Sequence, residues 1–351
     1  MRIAQVSPLY ESVPPSGYGG TERVVSYLTE ELVRLGHKVT LFASGDSTTR
    51  AKLVSICPES LRLSTHCTDP LSYHLLMIEQ VFQCAEDFDI IHFHTDYLHF
   101  SLSRRVPIPA LTTLHGRLDL PELAHLYREF SDIPLISISD AQREPLAWAN
   151  WRTTVHHGLP PSLYRLNERP GDYLVFVGRV SPEKKVIDAI EIAKRAGIPL
   201  RIAAKVDKTD EAYFREAIQP LLQHPLIEFV GEVGEKEKQE LLGKAYAFLF
   251  PIDWPEPFGL AMIEAMACGT PVIARRRGSI PEIVEEGVTG FTFDDPDQAV
   301  RAVEAAGSLS RLKIRNEFKK RFSVRRMALD YLSAYESLLA HVKTSGSLRI
   351  A

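Results

Sequence analysis

The sequence predicts an α/β protein of two domains, each built on a doubly wound parallel sheet, and three observations carry that prediction. Short apolar runs alternate with helical patterns along the chain, the βαβ rhythm of a parallel sheet. The rhythm breaks at the Pro-, Asn- and Gly-bearing stretch 159–172 and then restarts. The 351 residues are too many for one ordinary core and suit two.

In the first half, strands are expected at Arg2–Ser7, Lys38–Ala43, Asp89–His94, Ala110–His115, Pro134–Ser139 and Thr153–His157, with helical stretches between most of them. In the second half they are expected at Tyr173–Val180, Leu200–Val206, Ile227–Val230, Ala247–Pro251 and Pro271–Ala274. Ser323 caps a last helix, Val324–Leu339, with Met327, Tyr331, Tyr335 and Leu338 on one side. No short-period repeat and no low-complexity tract interrupts the pattern.

The formal charge of −4 argues against a nucleic-acid partner, whose binding domains are strongly basic. The four cysteines have no C-x-x-C spacing, and neither a signal peptide nor an apolar run of membrane-spanning length is found, so a reduced, cytoplasmic protein is expected. One local exception to the charge balance is 311–326, with eight Lys or Arg against the single acid Glu317. Such a run reads either as a solvated face or as a weak peripheral contact with an anionic membrane.

The most informative segment is 254–274. Pro257 and the spacing of Leu260, Ile263 and Ala267 predict a helix from Pro257 to Cys268, and Gly269 ends it before a buried strand. Glu256 is then expected at the helix mouth, among backbone N–H groups that favour an anion. Glu264 lies two turns on, about 12 Å along the axis. A carboxylate accepts hydrogen bonds from vicinal hydroxyls, so one glutamate can hold a sugar and the other a ribose with phosphates between.

The block resembles the E-x7-E signature of family 4 glycosyltransferases, which have the GT-B fold. That resemblance implies two Rossmann-like domains facing across a cleft and a last helix crossing back to the first. The domain edges become 1–165 plus 325–351 on the acceptor side and 166–324 on the donor side. It further implies an enzyme that moves a hexose from a UDP-sugar, or second a GDP-sugar, with retention and without a metal or other cofactor. Phe258, Gly259 and Leu260 belong to its donor-binding run.

Each half also carries a loop after its first strand, where open α/β sheets hold ligands. In the first, the glycines of Pro14–Arg23 let backbone approach a ligand closely. A dinucleotide fingerprint fits poorly, because its third glycine falls on Glu22. In transferases resembling this one the loop can touch donor phosphate, which singles out Gly19 and Gly20. In the second half, Val177–Lys184 is expected to end a strand and start a helix with Ser181 as N-cap and Pro182 first. Arg179 and Lys184 then bracket a helix start, where two fixed cations stabilise the charge growing on a leaving pyrophosphate. The run resembles the family's pyrophosphate motif but has Lys185 where glycine is usual.

Twelve histidines invite a metal reading, yet His92-Phe93-His94 followed by Asp96, and His156-His157, show no spacing that ties them into one site. His115 ends an expected strand, where ligand clefts lie. The family places a histidine like it against the donor sugar, so it joins Glu256, Arg179 and Lys184 as a catalytic candidate. A structural role for His115 is the competing reading, and His94 is its rival. Ser139 and Arg143 repeat the strand-to-helix pattern and read equally as a cap. An epimerase or hydrolase of the same fold and a non-catalytic nucleotide-sugar-binding protein are the alternatives. The acceptor and the oligomeric state are not readable.

Overall fold

The computed structural model describes residues 1–62 and 64–347, of which 342–347 are described as backbone alone. The chain divides into two compact units, Met1–Gly158 with Val324–Ala351, and Leu159–Ser323. The four residues 348–351 of the expected first domain lie outside the described residues.

The first unit is a seven-stranded parallel sheet of β1 (Arg2–Val6), β2 (Lys38–Ala43), β3 (Lys52–Ser55), β4 (Ile90–Phe93), β5 (Ala110–Thr113), β6 (Leu135–Ser137) and β7 (Trp151–Thr154). Its spatial order is β3-β2-β1-β4-β5-β6-β7, so the winding reverses between β1 and β4. The second unit pairs β8 (Leu174–Arg179), β9 (Leu200–Lys205), β10 (Ile227–Phe229), β11 (Ala247–Phe250), β12 (Val272–Arg275) and β13 (Gly290–Phe293), also in parallel. Its order is β10-β9-β8-β11-β12-β13, reversing between β8 and β11. Ligands of open α/β sheets bind beyond the carboxyl ends of the strands that flank such a reversal.

Central strands such as Ala247–Phe250 and Val272–Arg275 are buried on both faces, which is why they read as continuous apolar runs. Two strands were not expected. β3 is a four-residue edge strand with no fully buried residue, and β13 opens on a glycine, so neither offers a recognisable apolar run. β7 also starts two residues earlier than expected, leaving His156 and His157 beyond the strand.

The unit boundary falls at 158/159 rather than 165/166. The Leu159 amide donates to the Phe322 carbonyl at 2.9 Å, and the Arg315 guanidinium donates to the Pro161 carbonyl at 2.5 Å. These bonds stitch 159–165 into the second unit. On the other side of the boundary the Arg326 guanidinium holds the carbonyls of His156 and His157, at 2.6 and 2.9 Å, within the first unit. The last helix, Val324–Ser347, buries Met327, Tyr331 and Tyr335 there.

The basic run is less of a solvated face than its composition suggests. Arg311 is buried and donates to the carbonyls of Asn167, Gly243 and Ala245 and to the Thr270 hydroxyl. Arg315 donates to the Ala267 carbonyl, and Arg321 to those of Glu282 and Ile283. Gly243 and Ala267 end helices, so these guanidiniums satisfy carbonyls that the helix leaves without partners. Burial pushes the Arg311 pKa down to about 10. Lys313, Lys319, Lys320 and Arg325 remain exposed, and among the described residues no helix is long and apolar enough to cross a membrane.

Candidate active site

In the second unit, the loops after β8 and β11 meet at the winding reversal. The Asp253 amide donates to the Glu183 carbonyl at 2.9 Å, which joins the two loops. Lys184 Nζ reaches Glu256 Oε2 at 2.8 Å, and Trp254 Nε1 donates to the same oxygen at 3.0 Å. The ammonium also lies 5.2 Å from the centroid of the Trp254 ring. A cation and a carboxylate distant in sequence are thus brought together.

Glu256 is held from the far side as well. The Ser279 amide donates to its carbonyl at 3.0 Å, and Gly278, at φ +52°, passes so close that a Cβ there would lie 2.6 Å from the Glu256 backbone nitrogen and oxygen. Only glycine fits such an approach.

Two local expectations are corrected here. The helix after β11 is Leu260–Ala267, not Pro257–Cys268, because Gly259 adopts a left-handed φ of +82° and forms the N-cap. Phe258 is turned inward instead, 6.2 Å from the Phe322 ring. Glu256 therefore precedes the helix by a short loop. After β8, Pro182–Lys184 make a single 3₁₀ turn, Lys185 takes φ +53°, ψ +47°, and the helix proper is Val186–Ala196. Ser181 does not cap; its hydroxyl donates to Glu183 Oε1 at 2.7 Å. Lys185 thus adopts a left-handed conformation that glycine takes without steric cost.

Arg179, at the end of β8, faces Glu183 at 3.0 Å, Asp207 at 3.6 Å and Asp210 at 4.0 Å. Glu264 is buried on its helix and pairs with Lys238 Nζ at 2.7 Å, while Lys238 also lies 3.6 Å from Glu235. Sequence reasoning missed Lys238 and Trp254. The Trp lies two residues before the E-x7-E run, and the Lys sits on the Glu235–Lys244 helix with nothing in its own segment to mark it.

In the first unit, Gly19 stands at φ +142° before the helix Gly20–Arg34, and a Cβ there would meet Pro15 at 2.9 Å. The first amides of that helix lie beyond β1, at the winding reversal. Glu22 is buried in its first turn, and burial, aided by the Glu11 charge, pushes its carboxyl up to about 7.

His115 follows β5 and is wired to His94, its Nε2 lying 2.8 Å from His94 Nδ1. Its ring also stacks on that of His157, centroids 5.3 Å apart. Burial pushes His115 down to about 3 and holds His92, His94 and His157 well below the ordinary imidazole range, so the group is neutral. The rivals His94 and His115 are therefore members of one network. Gln142 serves as the lock of the Ser139–Arg143 segment, donating to the carbonyls of Leu114 and Gly116 and so fixing the backbone on either side of His115. Arg143 donates to Ser137 Oγ at 2.6 Å, and the Ser139 hydroxyl accepts from the Gln142 amide at 3.1 Å. Among the described residues no three His, Cys, Asp or Glu side chains are grouped to hold a metal.

Two parallel sheets, each opening at its reversal on glycine-bearing loops, with paired cations and glutamates in the second, define a GT-B glycosyltransferase. Residues 18–172 match the family described as Glycosyltransferase Family 4 and residues 166–323 the one described as Glycosyl transferases group 1. Each half of the chain thus matches one glycosyltransferase family model, and the chain is a glycosyltransferase enzyme of the family 4 type. It is 26% identical over 377 residues to a glycogen synthase of Mycobacterium tuberculosis, covering 87% of this chain and 89% of that protein. It is similar to the structure of AviGT4, a glycosyltransferase involved in avilamycin A biosynthesis, at 25% identity and a TM-score of 0.74, over 97% of this chain and 98% of that one. Anabaena HepE in complex with UDP and glucose shares the fold at 17% identity and a TM-score of 0.73, over 96% of this chain and all of that one.

Proposed function

We propose that the protein transfers a hexosyl group from a nucleoside diphosphate sugar to an acceptor with retention of configuration, using no metal. The observation that carries this is the Lys184–Glu256 pair beside Trp254 at the reversal of the second sheet. Each partner neutralises the other until a donor arrives. A diphosphate then takes the ammonium, and the released carboxylate accepts the hydroxyls of the sugar. Arg179, set among three acids, adds a second fixed cation for charge that grows as the sugar–phosphate bond breaks. Phe258, Gly259 and Leu260 shape the loop against which the diphosphate lies, and the Gly19–Gly20 amides offer further donors to phosphate. Glu264 holds the ribose, and His115 meets the sugar.

No side chain in the second-unit cluster is placed as a covalent nucleophile in this reading, so front-face attack with the departing phosphate as base follows. UDP is proposed as the nucleotide and GDP as the second choice. The family resemblance supports UDP, and the HepE structure of the same fold was solved with UDP and glucose. The reading is tested by thermal shift with UDP-, GDP- and ADP-sugars on wild type, Lys184→Ala and Glu264→Ala. A ligand at a hundred times its Kd adds about 2.7 kcal/mol, several degrees in Tm. Stabilisation by one base alone, lost in both variants, is expected; no stabilisation by any of the three sinks the reading.

A further inference from the structure

The buried network behind His115 has a direction. Gln5 Oε1 lies 2.9 Å from His94 Nε2, and Gln5 Nε2 lies 3.0 Å from the Tyr335 hydroxyl. An amide oxygen only accepts, so His94 carries its proton on Nε2 and leaves Nδ1 bare. His94 Nδ1, 2.8 Å from His115 Nε2, must then accept, so His115 is protonated on Nε2.

The other arm is consistent with this. The Tyr335 hydroxyl accepts from Gln5 and donates to His92 Nδ1 at 2.8 Å. His92 Nε2 donates to Thr113 Oγ1 at 2.7 Å, and Thr113 donates to the Tyr331 hydroxyl at 3.1 Å. In this arrangement each donor named has an acceptor along the chain as far as the Tyr331 hydroxyl.

The remaining nitrogen, His115 Nδ1, is shut off from water and has no hydrogen-bond partner in the protein. So are Ser7 Oγ and Thr95 Oγ1, which follow β1 and β4, the strands that flank the reversal. Buried polar atoms without partners are uncommon and cost free energy, which a ligand can return.

We propose that Gln5, acting through His94, is the positioning residue that fixes His115 as the Nε2–H tautomer. Its Nδ1 is then a bare acceptor that takes a ligand hydroxyl and rejects a phosphate oxygen. The tautomer assignment stands on the geometry of the first unit alone; the identity of the ligand as a sugar rests on the function proposed above.

The test is a long-range proton–nitrogen correlation spectrum of full-length protein labelled with 15N-histidine at neutral pH, the His115 signals being assigned by their loss in His115→Asn. Wild type should show His115 with a protonated Nε2 and an unprotonated Nδ1; a proton on Nδ1 overturns the proposal without any further variant. In Gln5→Met, His94 Nε2 loses its acceptor, so the Nδ1–H tautomer of His115 should gain population and turnover should fall about tenfold. An unchanged tautomer in a folded Gln5→Met also overturns the proposal. With a nucleotide sugar that raises Tm, the Nδ1 resonance should move toward its hydrogen-bonded position, and an unmoved resonance overturns the claim on the ligand hydroxyl. If none of the UDP-, GDP- or ADP-sugars raises Tm, the donor reading fails while the free-protein spectrum still decides the tautomer.

Discussion

Lys184 Nζ and Glu256 Oε2 lie 2.8 Å apart although 72 residues separate them, and Trp254 Nε1 shares the same carboxylate oxygen. The ion pair closes the reversal point of the second sheet around charges that a diphosphate sugar can divide between its two ends. On the proposed function, Lys184→Ala removes one contact to the charge that builds on the leaving group. Turnover should fall on the order of a hundredfold or more. The check is kcat and KM with the stabilising donor, alongside circular dichroism; a folded variant at full rate removes Lys184 from the mechanism. Glu256→Gln should instead weaken sugar recognition, and the double variant should lose less than the sum of the two, because the residues are in contact.

The Lys238–Glu264 pair is more enclosed, its side chains 15% and 5% exposed. Removing one member strands the other. Lys238→Ala is expected to cost about 3 kcal/mol in urea unfolding, because a buried carboxylate loses its counter-ion. Lys238→Met with Glu264→Gln should recover most of that stability yet not the donor-induced rise in Tm. Recovery of both would make Glu264 a purely structural residue.

Which parts were legible follows from how far apart in sequence the causes lie. Central strands such as Ala247–Phe250 declared themselves because they read as continuous apolar runs, and Glu256 and Lys184, which the structure pairs, were singled out because their motifs are contiguous. The helix start near Glu256 was misplaced because Pro257 is a good first-turn residue, whereas Gly259 supplies the left-handed cap that decides the matter. Lys238 could not be read, since its partner lies on another helix. The same holds for Gln5 and Tyr335, which are 330 positions apart and are joined by one hydrogen bond. The basic run misled for the opposite reason: composition counts charges but not the helix-end carbonyls that Arg311 and Arg315 cover.

Lys185 carries backbone strain. At φ +53° it occupies a region that costs an ordinary residue about 1–2 kcal/mol and glycine almost nothing. Its ammonium is 3.9 Å from Asp253, a partly exposed pair that contributes little. Lys185→Gly should therefore raise stability, by up to about 1 kcal/mol after the entropy that glycine gains in the unfolded chain is subtracted. Urea midpoints of the two proteins check this. A loss of 1 kcal/mol or more would show that the Asp253 contact outweighs the strain.

Glu22 gives a pH dependence with a definite sign. Its carboxyl is raised from 4.5 to about 7, first by burial and then by the Glu11 charge, against the lowering effect of backbone N–H groups and Arg62. Below pH 4.5 both the folded and the unfolded chain hold this proton, so the group contributes nothing. Between 4.5 and 7 the unfolded chain releases it first, and stability falls as pH rises. Above 7 the full penalty is present, about 3 kcal/mol at 1.36 kcal/mol per unit. Glu22→Gln keeps an oxygen for the backbone donors but carries no charge. Its gain over wild type should be small at pH 5 and approach the full amount at pH 8, measured as urea unfolding free energies. A gain that is equal at both values would mean that Glu22 titrates in the ordinary carboxylate range and that the start of the Gly20–Arg34 helix accommodates its charge.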